Sequence, residues 1–198
     1  MVSDNPETFV DLDGHNKDAP GADNSDSTQD NCPNQEACNK TAQQQAQQLS
    51  QQGLDFIKGY EKFSSTVYDA SGKKHLGDWT IGWGHKTTED AAPVTESQAN
   101  AILAKDVQGA VNAVNHGLRV SVAQNQFDAL VSLAFNAGPG SVAVYNQMMR
   151  AVNSGSVTEA NFTAYRYSGH DKNGSPIVSQ GLIRRREDEY GMYSEGKY

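Results

Sequence analysis

Apolar residues recur at helical spacing once the chain passes residue 48. Leu49, Leu54, Ile57 and Tyr60 fall on one face of a helix with 3.6 residues per turn. This pattern predicts an amphipathic helix that ends close to Glu61. The residues before this helix follow no such period and are mostly polar.

The pattern changes between Val67 and His85. This stretch holds four glycines, and the run Trp79–Trp83 alternates between apolar and small or polar residues. Alternation with a period of two, interrupted by glycine, is typical of short strands joined by tight turns. We therefore expect a small β-hairpin region here.

The remainder of the chain is patterned as helix. Thr95 and Gln98 form a capping box at the start of one apolar stripe, which comprises Ala99, Ile102, Leu103, Ala110, Val111 and Val114. Further helices are predicted from near Ser121 to Gly138, from about Ser141 to Asn153, from near Thr158, and over roughly Gly181–Tyr190. The predicted fold class is α+β, mostly α, with the β-hairpin region and a helical lobe flanking a cleft.

The composition divides the chain into two regions. Residues 1–48 are rich in Asp, Asn, Gln and Ser and have few large apolar side chains, so we expect a polar, flexible leader or linker. Residues 49–198 form the predicted folded domain. The two cysteines, Cys32 and Cys38, lie in the leader, where either a small-loop disulfide or two free thiols fits them better than a zinc site. We expect no metal and no organic cofactor.

The charge and hydropathy of the chain exclude some classes of partner. The net charge is −8, which disfavours non-specific binding to nucleic acid because that requires displacement of phosphate counterions by a basic surface. No stretch approaches the roughly 18 consecutive apolar residues of a membrane span. The N-terminus also lacks the basic start and apolar core of a secretory signal.

Acidic residues near the predicted cleft can supply the pair of carboxyl groups that glycoside hydrolysis uses, although such residues alone are weak evidence for that function. That reaction needs a carboxylic acid to protonate the leaving oxygen, and it usually needs a second carboxylate to position water or stabilise charge. Glu61 ends the first helix, Asp69 follows it by eight positions, and Asp78 directly precedes Trp79. These three residues are the candidates for the pair.

Several sequence blocks together resemble the phage-type lysozymes, glycoside hydrolase family 24. The family's signature combines a helix-end Glu, an aromatic-x-Asp-x-x-Gly turn and a Thr-Ile-Gly-aromatic-Gly-His strand. The matching blocks occur in the family's order between about residues 53 and 193, at residues 59–63, 68–72, 79–85, 126–138 and 181–187. One block alone would be weak evidence, but the ordered set is specific.

The resemblance implies an activity and a set of site residues. Glu61 would protonate the β-1,4 glycosidic oxygen between N-acetylmuramic acid and N-acetylglucosamine of peptidoglycan, and Asp69 and Thr80 would hold the attacking water. Attack from the opposite face would invert the anomeric centre. The sequence departs from the family at the Asp, because Asp69 directly follows Tyr68 and the turn to Thr80 is longer. Asp69 is preferred because its alignment needs only a one-residue deletion, with Asp78 as the alternative.

Other residues of these blocks receive more limited roles. His85 is expected to be a structural histidine paired with a carboxylate near the cleft. Phe135 and Asn136 are candidate substrate-binding residues at the cleft floor, although Phe135 fits core packing equally well. One arginine of the run 184–186 is expected to pair with Glu61, and the other two to form a solvated basic face.

Two other functions remain open at this point. A lytic transglycosylase would cut the same bond without water, and a non-catalytic module would bind peptidoglycan on the same fold. The expected setting is the periplasm or cell wall, reached through a holin-dependent phage endolysin route or by a bacterial secretion system. The chain is expected to be a monomer, and a secreted effector would also have an immunity protein as partner.

Overall fold

A computed structural model describes residues 46–70, 77–138, 142–170 and 172–198. All of these residues fall within the unit Gln44–Tyr198. The predicted leader, together with Cys32 and Cys38, lies outside the described residues apart from positions 46–48. The division of the chain at residue 48 therefore stays a prediction.

The described chain is mostly helical and carries a small antiparallel sheet, which confirms the predicted α+β class. In chain order its elements are α1 (Gln51–Tyr60), β1 (Ser64–Asp69), β2 (Trp79–Gly82), β3 (His85–Lys86), α2 (Glu96–Asp106), α3 (Gln108–Gly117), α4 (Gln124–Ala137), α5 (Val142–Asn153), α6 (Glu159–Thr163), β4 (Tyr167–His170), β5 (Pro176–Val178) and α7 (Gln180–Glu195).

Helix α1 ends where the sequence predicts, but it begins at Gln51, so Leu49 of the predicted apolar face lies before it. The Ser50 hydroxyl accepts a hydrogen bond from the Gly53 N–H at 3.0 Å, which satisfies one of the free donors of the first turn. Ile57 is fully buried on the inner face. The helix ends at Glu61, whose backbone is extended (φ −93°, ψ 120°) while its N–H still donates to the Ile57 carbonyl. Glu61 is thus the residue at which the chain leaves the helix for the sheet.

Strands β1, β2 and β3 form an antiparallel sheet in that order. Tyr68 pairs with Thr80 and Asp69 with Trp79, whereas the register becomes irregular toward Ser64. The tight turn from β2 to β3 includes Gly84, whose φ of +86° lies in the region that favours glycine. The predicted hairpin region is therefore confirmed.

The capping box at Thr95 is present, but the stripe that follows it is divided between two helices. Thr95 accepts from the Gln98 N–H, and the Gln98 side chain accepts from the Thr95 N–H. The prediction of one helix was wrong, because the regular helix is interrupted at Val107. The backbone of Val107 stays in the right-handed helical region, so buried residues such as Leu103 and Val111 still line one apolar face.

Helix α4 is the centre of the helical lobe. Seven consecutive residues, Phe127–Leu133, are buried, so this helix is enclosed on all sides along its middle. It packs against α1, α3 and α7. Within the described residues no helix is both long and apolar enough to cross a membrane.

The hairpin of β4 and β5 was not predicted. Pro176, Ile177 and Val178 are all exposed, so the short strand carries no alternation of buried and exposed positions that a sequence pattern could reveal. Helix α7 also extends beyond the predicted end at Tyr190, as far as Glu195, and stops before Gly196, which has a left-handed backbone.

A buried carboxylate joins the first and last described segments to α4. Asp128 is fully buried. It accepts from the Ser50 N–H at 3.0 Å, from the Gln124 amide at 2.8 Å and from the Tyr198 hydroxyl at 2.6 Å, and the Ser50 hydroxyl also donates to it. Burial and this hydrogen bond raise the pKa of Tyr198 to about 12.

We expect Asp128→Ala to lower the free energy of unfolding by about 3 kcal/mol, because it leaves several partly buried donors without an acceptor. Urea denaturation followed by circular dichroism measures this change. Asp55→Ala is the control, since that side chain is 57% exposed and should change stability by less than about 0.5 kcal/mol. An equal loss in both variants would contradict the role given to Asp128.

Candidate active site

Glu61 lies where the end of α1 meets the sheet and α7. Its side chain is 23% exposed, and its Oε1 accepts a hydrogen bond from Arg185 Nη1 at 2.9 Å. Its Oε2 faces the β2–β3 turn, 3.4 Å from the point where a Cβ on Gly84 would lie. Because Gly84 has no side chain, space is left beside this second oxygen. One oxygen of Glu61 is therefore held by a cation, and the other lies beside Gly84, which has no side chain.

The side chain of Arg185 is almost fully buried, at 4% exposed. Its Nε donates to Glu189 Oε1 at 3.2 Å, while its Nη1 donates to Glu61. The guanidinium lies over the Tyr60 ring, with 5.1 Å between its carbon and the ring centroid. The prediction that one arginine of this run pairs with Glu61 is confirmed, and the arginine is Arg185.

Tyr60 makes a second contact between the last turn of α1 and α7. Its hydroxyl donates to the Asp188 carboxylate. Burial, followed by the hydrogen bond to Asp188, raises the pKa of Tyr60, so this hydroxyl remains a donor at neutral pH. The residue next to Glu61 is thus fixed independently of Glu61 itself.

Thr80 and Asp69 lie on neighbouring strands of the sheet. Thr80 is buried, and its hydroxyl donates to the Asp78 carbonyl at 3.2 Å. Asp69 is partly buried and lies opposite Trp79. On a regular pleat Asp69 and Thr80 would face opposite sides of the sheet.

The alternative carboxylate, Asp78, is committed to another partner. It pairs with Lys86 of the edge strand β3, and its side chain is 42% exposed. Lys86 Nζ also lies 3.5 Å from the Thr80 hydroxyl oxygen. Asp78 is therefore engaged in an ion pair on the outer part of the sheet.

His85 forms the predicted pair with a carboxylate. Its Nδ1 lies 2.9 Å from Asp106 Oδ2, at the end of α2. This contact joins β3 to the helix that packs against the sheet. The expected pairing with a carboxylate is confirmed, and the structural role of His85 stays a prediction.

Phe135 and Asn136 lie at the end of α4. Phe135 packs against the buried cluster of Ile57, Leu103 and Val107, so the core-packing reading of this residue is confirmed. Asn136 is partly buried, and its side-chain oxygen accepts from Arg186 Nη2 at 3.1 Å. A role for either residue in binding substrate stays a prediction.

A largely apolar cavity of about 500 Å³ opens beside Phe135 in the helical lobe. Its described lining consists of Asp106, Gly109, Ala110, Ala113, Leu133, Ala134, Phe135, Ala137, Gly138, Tyr145 and Tyr165. Neither Glu61 nor Thr80 belongs to that lining, so this cavity is separate from the place where the Glu61 carboxylate lies.

The other two arginines differ from each other. Arg184 is exposed, as expected for a solvated face. The same expectation was wrong for Arg186, which is fully buried. Arg186 Nη2 donates to Glu189 Oε1 at 2.8 Å, and its Nε lies 2.8 Å from Oε2 as an ion pair without hydrogen-bond alignment. The Arg186 guanidinium can be buried because the Glu189 carboxylate compensates its charge.

The sequence-based prediction of the site omitted Glu189, Asp188 and Asp106. The spacing from Arg185 and Arg186 to Glu189 is i,i+4 and i,i+3 on one helix, which is a signal for ion pairs. It does not indicate burial, because the same spacing is common on exposed faces. Among the described residues, no group of three His, Cys, Asp or Glu side chains is placed to hold a metal ion.

Comparison with known proteins identifies similar sequences over most of this unit. The family model described as phage lysozyme matches residues 58–189. The endolysin of Bacillus phage PZA is 38% identical over 153 residues, which cover 75% of this chain and 56% of that endolysin. The chain thus spans little more than half the length of that relative.

Two solved structures are similar along nearly their whole length. An endolysin from Escherichia coli O157:H7 phage FAHEc1 has a TM-score of 0.69 and 30% identity, and the match covers 78% of this chain and 98% of that one. The muramidase domain of SpmX from Asticaccaulis excentricus has a TM-score of 0.64 and 33% identity, with 74% and 97% covered. The fold is therefore lysozyme-like.

We expect Gly84→Ala to lower the free energy of unfolding by about 1 kcal/mol, because a side chain is strained at this positive φ and meets Glu61. Gly59→Ala is the matched control. Nothing lies within 4 Å of a Cβ at Gly59, and its position inside α1 favours alanine by about 0.5–1 kcal/mol. Thermal or urea unfolding should therefore give opposite signs for the two variants, and the same sign for both would contradict this account of the turn.

Proposed function

Since the chain belongs to the phage lysozyme family, we propose that it is a muramidase, which hydrolyses the β-1,4 bond between N-acetylmuramic acid and N-acetylglucosamine in peptidoglycan. The observation that supports this most directly is the Glu61 carboxyl, held by Arg185 at the junction of α1, the sheet and α7. A partly exposed carboxyl at such a junction can reach a polysaccharide, whereas a fully buried one cannot.

Glu61 is the proposed general acid. Arg185 fixes Oε1, so the proton to be transferred resides on Oε2, which borders the space beside Gly84. A glycosidic oxygen in that space would receive the proton as its bond to the anomeric carbon breaks. The fixed oxygen keeps the carboxyl in one orientation while the other oxygen reacts.

Asp69 and Thr80 are the proposed holders of the attacking water. The hydroxyl hydrogen of Thr80 is used on the Asp78 carbonyl, so its oxygen acts as an acceptor. A water that donates one hydrogen to Thr80 and the other to Asp69 has a lone pair left for the anomeric carbon. Attack on the face opposite Glu61 inverts the configuration of that carbon.

Phe135 and Asn136 are the proposed substrate contacts in the helical lobe. The Asn136 oxygen is engaged by Arg186, which orients the amide and leaves its N–H groups as the donors for a sugar or peptide carbonyl. Phe135 supplies an apolar surface beside the neighbouring cavity.

The proposed place of action is the bacterial cell wall, with the chain acting as a monomer. The route to the wall, through a holin-dependent lysis pathway or a secretion system, stays a prediction. An immunity protein as partner belongs to the second route only. Co-purification of the chain from cells that carry its neighbouring genes would test that partner.

We expect Glu61→Gln to reduce hydrolysis of purified peptidoglycan by about 1000-fold, because glutamine cannot deliver the proton. Turbidity of a wall suspension and mass spectrometry of the released fragments measure the loss. Glu89→Gln, which changes an exposed glutamate of the loop between β3 and α2, should retain full activity. Full activity in Glu61→Gln would remove Glu61 from its role.

The fragments also separate the proposed hydrolysis from the two alternatives. Hydrolysis incorporates one oxygen from water and leaves a reducing muramic acid, so labelling with H₂¹⁸O adds the heavy isotope to each new end. A transglycosylase leaves an unlabelled 1,6-anhydro end. Binding to the wall with no released fragment would indicate a non-catalytic module.

We expect Asp69→Asn to reduce activity by about 100-fold and Asp78→Asn by less than about threefold. The reason is that Asp69 is the proposed acceptor for the attacking water, whereas the Asp78 side chain is 42% exposed and has no proposed role in the reaction. The two substitutions are matched in size and charge, and kcat on a soluble muropeptide oligomer compares them. The reverse order of effects would transfer the second catalytic role to Asp78.

A further inference from the structure

A buried carboxylate lies behind the Glu61–Arg185 pair. Glu189 is fully buried, and its Oε1 accepts three hydrogen bonds, from the Ser132 hydroxyl at 2.7 Å, Arg185 Nε at 3.2 Å and Arg186 Nη2 at 2.8 Å. Arg185 therefore lies between two glutamates and uses different nitrogens for each. The nitrogen that reaches Glu61 is oriented by the one that reaches Glu189.

The charges of this group are only partly cancelled. Arg185 and Arg186 contribute two positive charges and Glu189 one negative charge, which leaves a net charge of +1 facing Glu61. Without Glu189, two positive charges would act on Glu61 in a region of low dielectric, where each is only weakly screened. The balance is therefore set by a residue that does not touch Glu61.

The buried ions depend on one another. Burial raises the pKa of Glu189, and the positive charges of Arg186 and Arg185 oppose that shift. Burial likewise lowers the pKa of Arg186, and the negative charge of Glu189 opposes it. Removing one member therefore changes both the charge and the geometry presented to Glu61.

We propose that Glu189 is a positioning residue of the active site, which orients Arg185 toward Glu61 and cancels the charge of one of the two buried arginines. The inference rests on the proposed function of Glu61 as the acid. It assigns to α7 the task of holding Arg185 against Glu61 and of limiting the positive charge beside that carboxyl.

Other charged or titratable groups surround Glu61 on the elements that meet there. They lie in α1 and just after it, in β1, in β3, in α2 and in α7. They are Lys58, Tyr60, Lys62, Asp69, His85, Asp106, Arg185, Arg186, Asp188 and Glu189. Arg185 contacts the Glu61 carboxylate directly. Glu189 acts through that contact.

The test is Glu189→Gln, which keeps the size of the side chain and removes its charge. We expect the alkaline limb of the pH–activity profile to move to lower pH by about one unit. The ¹³C signal of the Glu61 side-chain carboxyl should titrate at correspondingly lower pH. The NMR measurement needs no activity, so it tests the inference even if the proposed reaction fails.

Arg186→Met supplies the opposite change. It removes one positive charge, so both the alkaline limb and the Glu61 carboxyl signal should move to higher pH. The double variant Arg186→Met with Glu189→Gln has no net change in charge, so both of its midpoints should lie closer to those of the parent chain than the midpoints of either single variant. It also replaces a buried ion pair with neutral side chains, which proteins often tolerate, so it provides a folded variant if either single one unfolds.

Glu187→Gln is the matched control, because it removes the same charge from the exposed face of α7. It should leave the profile and the carboxyl signal unchanged. Opposite displacements in the two single variants are not expected of a purely structural role. Any of three results would overturn the inference. The first is a folded Glu189→Gln protein whose Glu61 carboxyl signal titrates as in the parent chain. The others are a double variant whose midpoints are displaced by about a full pH unit, and a shift in Glu187→Gln equal to that in Glu189→Gln.

Discussion

The site depends on the buried guanidinium of Arg185. Three of its neighbours come from separate parts of the chain: Glu61 at the end of α1, Ser132 in the middle of α4 and Glu189 one turn along α7. A guanidinium is suited to this position because its donors diverge in one rigid plane and it stays charged when buried. The first helix, the central helix and the last helix are thereby brought to one point, and that point is where Glu61 is exposed.

Much of the fold could be predicted because local signals agreed with the tertiary structure. The apolar faces of α1 and α4, the capping box at Thr95 and the glycines of the β2–β3 turn each act over a few residues, so the sequence displays them directly. The break at Val107 could not be predicted, because the apolar stripe continues through it. The β4–β5 hairpin was missed because its second strand is exposed on both faces.

The prediction of the site succeeded for contacts that motifs encode and failed where burial decides the outcome. The ordered motifs indicated Glu61 and the strand of Thr80, and the arginine run indicated a partner for Glu61. Whether an arginine is solvated or enclosed depends on which face of α7 meets α4, and no local pattern contains that information. Arg186 was therefore misjudged and Glu189 was overlooked.

The hydrogen bonds of Asp128 have a consequence for how this unit can be used. Ser50 and Tyr198 donate to the same carboxylate, so the start and the finish of the described fold are neighbours in space. A unit whose two extremities lie side by side can be spliced into a loop of another protein, or joined at either extremity, without stretching the host chain. The geometry of the folded unit therefore suits insertion as well as end-to-end fusion.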